Sequence, residues 1–458
     1  SRGLGDVYKR QILHGDINNQ PLTIAIIGSG ISGLSASWLL SQGHNITLYE
    51  AGGYLGGHSN TVDIIDDNTV TPVDTGFIVY NEPAYPNLTK FFETLDVDTN
   101  STEMSFAVSI NNGALEYAGN GFNRIFAQKE NLLNYRYWRM LGDIIRFYKI
   151  APRDAQNCAH LTLSDYLRQN KFSLEFCQQH LYPMAASIWS IPARQAGHYP
   201  FKSFIDFCSN HGLLQIRNRP IWRTVKGGSR EYVKQMSRNF KNNIRLNDPV
   251  KKILRYNDHV EVISHSATKT YDHIVLACHA DQALALIDEP SAAERGLMSN
   301  FKYSTNKTYL HSDRKLMPKR DAVWSSWNYL TYGANEDSLL TVTYWMNALQ
   351  NLSTKKQIFV TLNPHTLPDE KLTYRDFTYE HPILDRKAIS AQEELWSLQG
   401  LKRTWYCGSY FGAGFHEDGL QSGLAVAEQL GGYKRPWTVE NESGRITVKA
   451  LRDQKSCL

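Results

Sequence analysis

The residues from Leu22 to Gly33 constrain the fold of this chain more tightly than any other stretch. Leu22-Thr-Ile-Ala-Ile-Ile27 is a short β-branched apolar run, the pattern of a strand buried in a parallel sheet. It leads straight into Gly28-Ser29-Gly30-Ile31-Ser32-Gly33, then a helix-like stretch from Leu34 to Leu40, then a second strand, Asn45 to Glu50. In such a turn the first glycine permits the tight bend, the second leaves room for a pyrophosphate against the backbone, and the third lets helix and strand pack closely. The helix N-terminus faces the phosphates with unpaired N–H groups and a partial positive charge. Glu50 stands where a carboxylate accepts hydrogen bonds from ribose hydroxyls. The order predicts a dinucleotide seat in an α/β fold. The fingerprint alone does not separate a nicotinamide from a flavin dinucleotide.

Composition narrows the class by exclusion. With 42% hydrophobic and 21% charged residues the chain can bury an ordinary core. Its 458 residues allow about three domains, or an interleaved two-domain fold. The 49 basic and 45 acidic residues leave a net +4 without a dominant basic run, so no nucleic-acid partner is expected, while a basic face toward an anionic membrane stays open. Cys158, Cys177, Cys208, Cys278, Cys407 and Cys457 form no C-x-x-C pair, which argues against a metal site and a disulfide framework and favours a reducing cytoplasm. The most apolar stretch, Leu22 to Leu40, is broken by glycines and serines and is too interrupted to span a bilayer. The opening SRGLGDVYKRQ has no periodicity and no apolar region after it, so residues 1–20 read as a disordered or non-native leader rather than a signal peptide. The tail from Glu440 onward is polar and has no evident place in the core.

The segment after the second strand carries a resemblance. The run Glu50-Ala51-Gly-Gly-Tyr-Leu-Gly56-Gly57-His58 is similar to the motif at this place in flavin amine oxidases, protoporphyrinogen oxidases and phytoene-type desaturases. The resemblance implies an FAD cofactor, with the paired glycines bringing amides against its pyrophosphate; this chain departs from the pattern at His58, where the family usually has arginine. Histidine titrates near neutrality, so a permanent charge is missing there. Val73-Asp74-Thr75-Gly76-Phe77 resembles the next strand, whose glycine passes close to the flavin ring. Asn247-Asp-Pro-Val250, the strands after it and Tyr271 to Ala277 are similar to the returning meander of the FAD domain, which implies a backbone contact from Val250 to adenine; Val250 suits plain core equally. Trp405-Tyr-Cys-Gly408 and the loop from Gly412 through Glu417, Gly419 and Leu420 to Gly423 resemble the closing strand and helix, whose N-terminus would face the flavin pyrimidine. The strings VDTGFIVYNEPAYPNL, VTYWMNALQNL and GFHEDGLQSG are similar to a bacterial branch associated with fatty-acyl modification.

The implied fold is a Rossmann-like FAD domain from 21–81, 201–300 and 382–434, an inserted α+β substrate domain from 82–200 and 301–381, and a tail over 435–458. Helical spacing predicts helices at Tyr85–Leu95, Asn134–Ile150, Leu163–Asn170 and Leu174–His180, a hairpin at Met104–Tyr117, and a helix from Arg230 with Ser229 as N-cap. The stretch Tyr182 to Pro192 suits the wall of an apolar channel, and Arg194, Arg217, Arg219 and Arg223 are candidates for an anionic head group, although solvated arginines are commoner. Lys307 is the nearest counterpart of the family's lysine beside flavin N5, against a plain surface role. The expected chemistry is hydride removal from a C–H bond of a small hydrophobic substrate, a fatty acyl lipid by the resemblance, with oxygen or a quinone as acceptor. Amine oxidation, a flavin with only a structural role, and a flavin-free nicotinamide enzyme are the alternatives.

Overall fold

The computed structural model describes residues 20–66, 68–119, 121–332 and 340–450. The leader before residue 20, residues 451–458 of the tail and the side chain of Arg194 lie outside the described residues.

The apolar run after Leu22 becomes the central strand, Thr23–Ile27, of a five-stranded parallel sheet. The order is Ile244–Arg245, Asn45–Tyr49, Thr23–Ile27, His273–Leu276 and Thr404–Tyr406, so strands from both ends of the chain lie side by side. Ile24, Ala25 and Ile26 are fully buried, as strands covered on both faces must be. In register, Ile27 sits beside Tyr49 and Leu276, so the strands end together at one edge. That edge is where ligands bind in open α/β sheets. The helix Ile31–Leu40 starts from it and is buried along its whole length.

Across that helix runs a second one, His416–Gly431. Their approach depends on two glycines one turn apart: a Cβ at Gly419 would fall 2.7 Å from Ile31 Cγ2, and one at Gly423 would fall 2.2 Å from both Ser32 O and Ser35 Oγ. The strands Val250–Arg255, Val260–Ser264 and Thr268–Tyr271 form the antiparallel meander beside the parallel sheet.

The second layer is a seven-stranded, mostly antiparallel sheet built from Phe106–Ile110, Leu115–Ala118 and five strands between Lys302 and Ile383. Alongside stand the helices Tyr135–Asp154, Leu163–Gln169 and Phe201–Asn210. They pack through rings such as Phe147, Tyr166, Phe176 and Phe201. Among the described residues no helix is long and apolar enough to cross a membrane, and none of the His, Cys, Asp and Glu side chains group into a metal site.

Three local expectations change. The helix expected at Leu174–His180 is a single turn, Leu174–Phe176, that widens into a π turn over Cys177–Leu181 and resumes as Tyr182–Trp189, with Pro183 at the restart. Proline has no N–H to give and restarts a helix at its first turn. Ser229 does not cap its helix with its side chain; its Oγ donates to the buried Asp74 at 2.8 Å, which also accepts from Thr61 Oγ1 and Gln350 Nε2. The polar tail is not peripheral: Arg445 reaches the fully buried Asp418 at 2.7 Å, and Arg435 is buried against Glu428 and Asn87. A buried carboxylate needs such a partner, so the tail's charge is what places it inside.

Candidate functional site

At the C-terminal edge of the parallel sheet a cavity of about 980 Å³ runs between the two layers. One end is formed by Glu50, Ala51, Asp248, Val250 and Ala277. Glu50 is held there by the fingerprint turn: one oxygen accepts from Ser29 N at 3.0 Å and Ser29 Oγ at 2.6 Å, the other from Gly52 N at 2.7 Å.

The middle is a glycine cradle. Gly28 has φ +103° and a Cβ there would fall 2.8 Å from Ala277 O, so no larger residue fits the bend. Gly56 donates to Ser29 O at 3.0 Å, and a Cβ on Gly57 would fall 3.2 Å from Gly30 Cα, so the two glycine loops lean on each other. A Cβ at Gly30, by contrast, would project into open space with nothing within 4 Å. Gly30 is the N-cap of Ile31–Leu40, whose first turn carries no acid. A gap of this kind, bounded by backbone and facing a helix N-terminus, fits a pyrophosphate.

Five histidines line the cavity, and at the far end four of them from distant segments converge, His58, His279, His381 and His416, while His211 stacks on Phe207. His58 stacks on Tyr379 at 4.9 Å and lies 5.3 Å from His381; its Nε2 is buried without a hydrogen-bond partner. Burial first, then the neighbouring histidines, hold its basicity well below the usual histidine range. Burial likewise pushes His381 down to about 4 and His416 to about 3. His416 Nε2 meets Tyr232 OH at 2.7 Å, and its ring stacks on Phe77 at 3.8 Å. Gly76 lets the chain pass His58, since a Cβ there would fall 2.3 Å from His58 O. Tyr410 OH and Trp189 Nε1 are also buried without partners on this wall. These unsatisfied polar atoms and the glycine gap fit an extended cofactor with a polar ring system at this end.

The residues singled out from sequence divide cleanly. Gly28, Ser29, Gly30, Ile31, Ser32, Glu50, Ala51, Gly56, Gly57, His58, Thr75, Gly76, Phe77, Val250, Ala277 and Gly408 all line the cavity. Gly33 does not; a Cβ on it would fall 1.9 Å from Gly28 O, so its part is helix-to-turn packing. Glu417, Gly419 and Leu420 also lie off the cavity. The buried Glu417 carboxylate accepts from Asn87 N, Asn87 Nδ2 and Leu88 N, Gly419 makes the helix crossing, and Leu420 is core. Glu417 and Asp418 occupy the first turn of that helix, so two carboxylates already answer its positive end. Lys307 is exposed, lies outside the cavity wall and donates to Thr378 Oγ1 at 2.9 Å; strand alternation turns it outward between the buried Asn306 and Thr308. Sequence reasoning misses His211, His279, His381 and His416, because lone histidines on separate elements share no spacing.

A model of the family described as flavin containing amine oxidoreductase matches residues 31–430. No curated protein matches the sequence. Among solved structures, putrescine oxidase bound to putrescine superposes with a TM-score of 0.63 at 14% identity, covering 90% of this chain and 99% of that one. A CLA-producing fatty acid isomerase from P. acnes gives 0.65 at 14% identity with the same coverage. Cyclohexylamine oxidase from Brevibacterium oxydans IH-35A gives 0.61 at 14%, again covering 90% and 99%. The chain belongs to the flavin-containing amine oxidoreductase family and is an FAD-dependent oxidoreductase.

Proposed function

We propose that this oxidoreductase removes hydrogen from a C–H bond of a neutral, hydrophobic substrate, with a fatty acyl lipid as the class, in the manner of a dehydrogenase or desaturase. The observation that carries this reading is the electrostatics of the cavity's far end. Its walls are apolar and aromatic, including Met104, Ile188, Phe207, Trp222, Leu349 and Leu362. Its buried histidines are held neutral. Of the three carboxylates on the described cavity wall, Glu50 is engaged by Ser29 and Gly52, Asp248 by Ser266, and Glu380 is 41% exposed and screened by water. An ammonium entering such a site would lose its hydration with little to replace it.

FAD, when bound, accepts the hydride equivalent that the substrate gives up. The fingerprint turn and the Gly56–Gly57 loop are the residues we assign to its pyrophosphate, Glu50 to its ribose, Val250 to its adenine, and His58, Gly76, Phe77 and Gly408 to the ring end. Trp189, with its indole N–H buried and unpartnered, is the donor we assign to a carbonyl or carboxyl oxygen of the substrate. The aromatic walls exclude water and hold the chain of the substrate in place. Oxygen or a quinone serves as the final acceptor. The free thiols Cys158, Cys177, Cys208, Cys278 and Cys407 support a reducing, cytoplasmic setting.

A second reading, amine oxidation to an imine with hydrogen peroxide, draws on the parallel rings of Trp327 and Tyr344 on the wall, 6.5 Å apart at 4°, which offer faces to a cation. The absorption spectrum of the purified protein, recorded anaerobically with fatty acyl lipids and separately with amines, decides between them. Bleaching of the flavin band by lipid alone supports the first reading. Bleaching by amines alone establishes the second, and no bleaching by either removes both substrate classes.

A further inference from the structure

One surface is unlike the rest of the molecule. The outer face of the helix Tyr135–Asp154 carries Tyr135, Trp138 and Ile145 together with Arg139, Lys149 and Arg153. All three of those apolar side chains are exposed, Tyr135 at 70%. The segment before the helix continues the patch: Leu133 is 95% exposed and Phe122 63%. These residues are one body, since Trp138 Nε1 donates to Leu132 O at 2.9 Å and Phe126 bridges Phe122 and Trp138 at 4.7 and 5.0 Å. Large apolar groups held this far out cost hydration and find no cover within the described residues.

The charge on the same face is one-sided. Arg136, Arg139, Arg146, Lys149 and Arg153 lie on this helix, against Asp143, which is buried on Ser173, and Asp154, which accepts from Tyr166. Among the described residues Arg139, Lys149 and Arg153 enter no ion pair. An amphipathic helix whose exposed side mixes aromatic and basic residues is the form that lies in a bilayer interface, the rings at headgroup depth and the cations on anionic lipid.

A loop of the cavity wall lies near this helix. Leu213 and Trp222 line it, and the loop between them exposes Ile216, Arg217, Arg219 and Ile221. Arg219 is close enough to Tyr148, on the same helix, for its charge to be felt there.

We infer that Phe122, Leu133, Tyr135, Trp138, Arg139 and Lys149 form a docking surface for an anionic lipid bilayer, with the loop 214–221 beside the cavity wall set against the membrane. The docking stands on this surface alone; uptake of substrate from the bilayer rests in addition on the lipid reading of the cavity.

The test is flotation of the FAD-loaded protein with vesicles of neutral phosphatidylcholine and of phosphatidylcholine containing phosphatidylserine. Binding to the anionic vesicles that weakens with salt is expected. Each basic residue near such a surface contributes on the order of fivefold, so Arg139→Glu with Lys149→Glu should lower partitioning by at least roughly tenfold. Leu133→Ser with Tyr135→Ser should do likewise, while Lys251→Glu with Lys269→Glu, on the exposed meander, should not. All six positions are exposed, and an unchanged flavin spectrum confirms that the variants fold. No binding to anionic vesicles, equal loss in the meander variant, or self-association through the patch with indifference to vesicles each overturns the inference. Flavin bleaching by detergent-dispersed lipid, scored separately, tells failure of docking from failure of the substrate reading.

Discussion

The open space at Gly30 permits a sharp test of where the cofactor's phosphates sit. Replacing Gly30 with alanine adds one methyl group at a backbone of φ −66° and ψ 178°, which any residue adopts, and the methyl meets no atom within 4 Å. Two small effects on the cofactor-free protein offset each other. Alanine restricts the unfolded chain, a gain of about 0.4–1 kcal/mol, and is a poorer helix N-cap than glycine by a similar amount. The apo protein should therefore melt within about 2 °C of wild type. The bound state is different, because the methyl would occupy room required by the pyrophosphate. Overpacking of this kind costs about 1–3 kcal/mol, which weakens FAD binding roughly 5- to 150-fold. At saturating FAD each tenfold loss also removes about 1.4 kcal/mol of ligand stabilisation. The assay pairs the flavin-to-protein absorbance ratio and an FAD titration with melting of apo and loaded protein. Wild-type FAD affinity in Gly30→Ala would show that this gap is not the phosphate seat, and a destabilised apo protein would show that the gap is not open.

The other predictions concern packing, charge and pH. Gly423→Ala drives a methyl into the Ser32 backbone and should cost about 1–3 kcal/mol in urea unfolding, whereas Gly419→Ala crowds only the Ile31 Cγ2 methyl and should cost less; equal effects would contradict the helix-crossing geometry. Arg445→Met strands Asp418 in the core and should cost about 3–5 kcal/mol, part of it recovered by adding Asp418→Asn, so a loss below about 1 kcal/mol would remove the tail from the stability of the fold. Lys307→Met should change the rate of anaerobic flavin reduction less than roughly twofold, the usual reach of a surface change, and a tenfold drop would restore it to the chemistry. His180, His211, His311, His381 and His416 are all held below the ordinary histidine value, chiefly by burial, at about 4, 3, 4, 4 and 3. The unfolded chain takes up their protons first, so stability is full above about pH 6.5 and falls as pH drops toward 4, by up to about 1.4 kcal/mol per pH unit for each histidine. Asp74, raised to about 6 by burial, and Asp418, also raised by burial, work in the opposite direction over part of that window but are two groups against five. A denaturation midpoint equal at pH 7.5 and 5.5 would mean these histidines are not buried as neutral groups.

The end of the cavity that we assign to the phosphates is legible in the sequence because its parts are local. Gly28, Gly30, Gly33 and Glu50 lie within one strand-turn-helix-strand unit, where each residue type answers to a single backbone requirement. The ring end is legible only in part, since His58, His279, His381 and His416 meet through tertiary packing that leaves no periodic trace. Gly419 reads as a cofactor contact because helix-crossing and phosphate-binding glycines look alike in sequence; only the Cβ distances at Gly419 and Gly423, to Ile31 and Ser32, separate the two roles. The tail is misread for a related reason. Its polarity suggests solvent, but Arg445 is the counter-ion of an aspartate that no local pattern marks as buried.

The interleaving of the parallel sheet has a consequence for biosynthesis. The helix that begins at Ile31 emerges from the ribosome early, yet the helix that braces it ends at Gly431, roughly 400 residues later. At about 5–20 residues per second that delay is on the order of 20–80 s, during which an apolar helix and a half-built cofactor seat lack the helix that covers them. The nascent chain therefore depends on cover from chaperones or on its own transient collapse, and flavin capture becomes a late event of maturation.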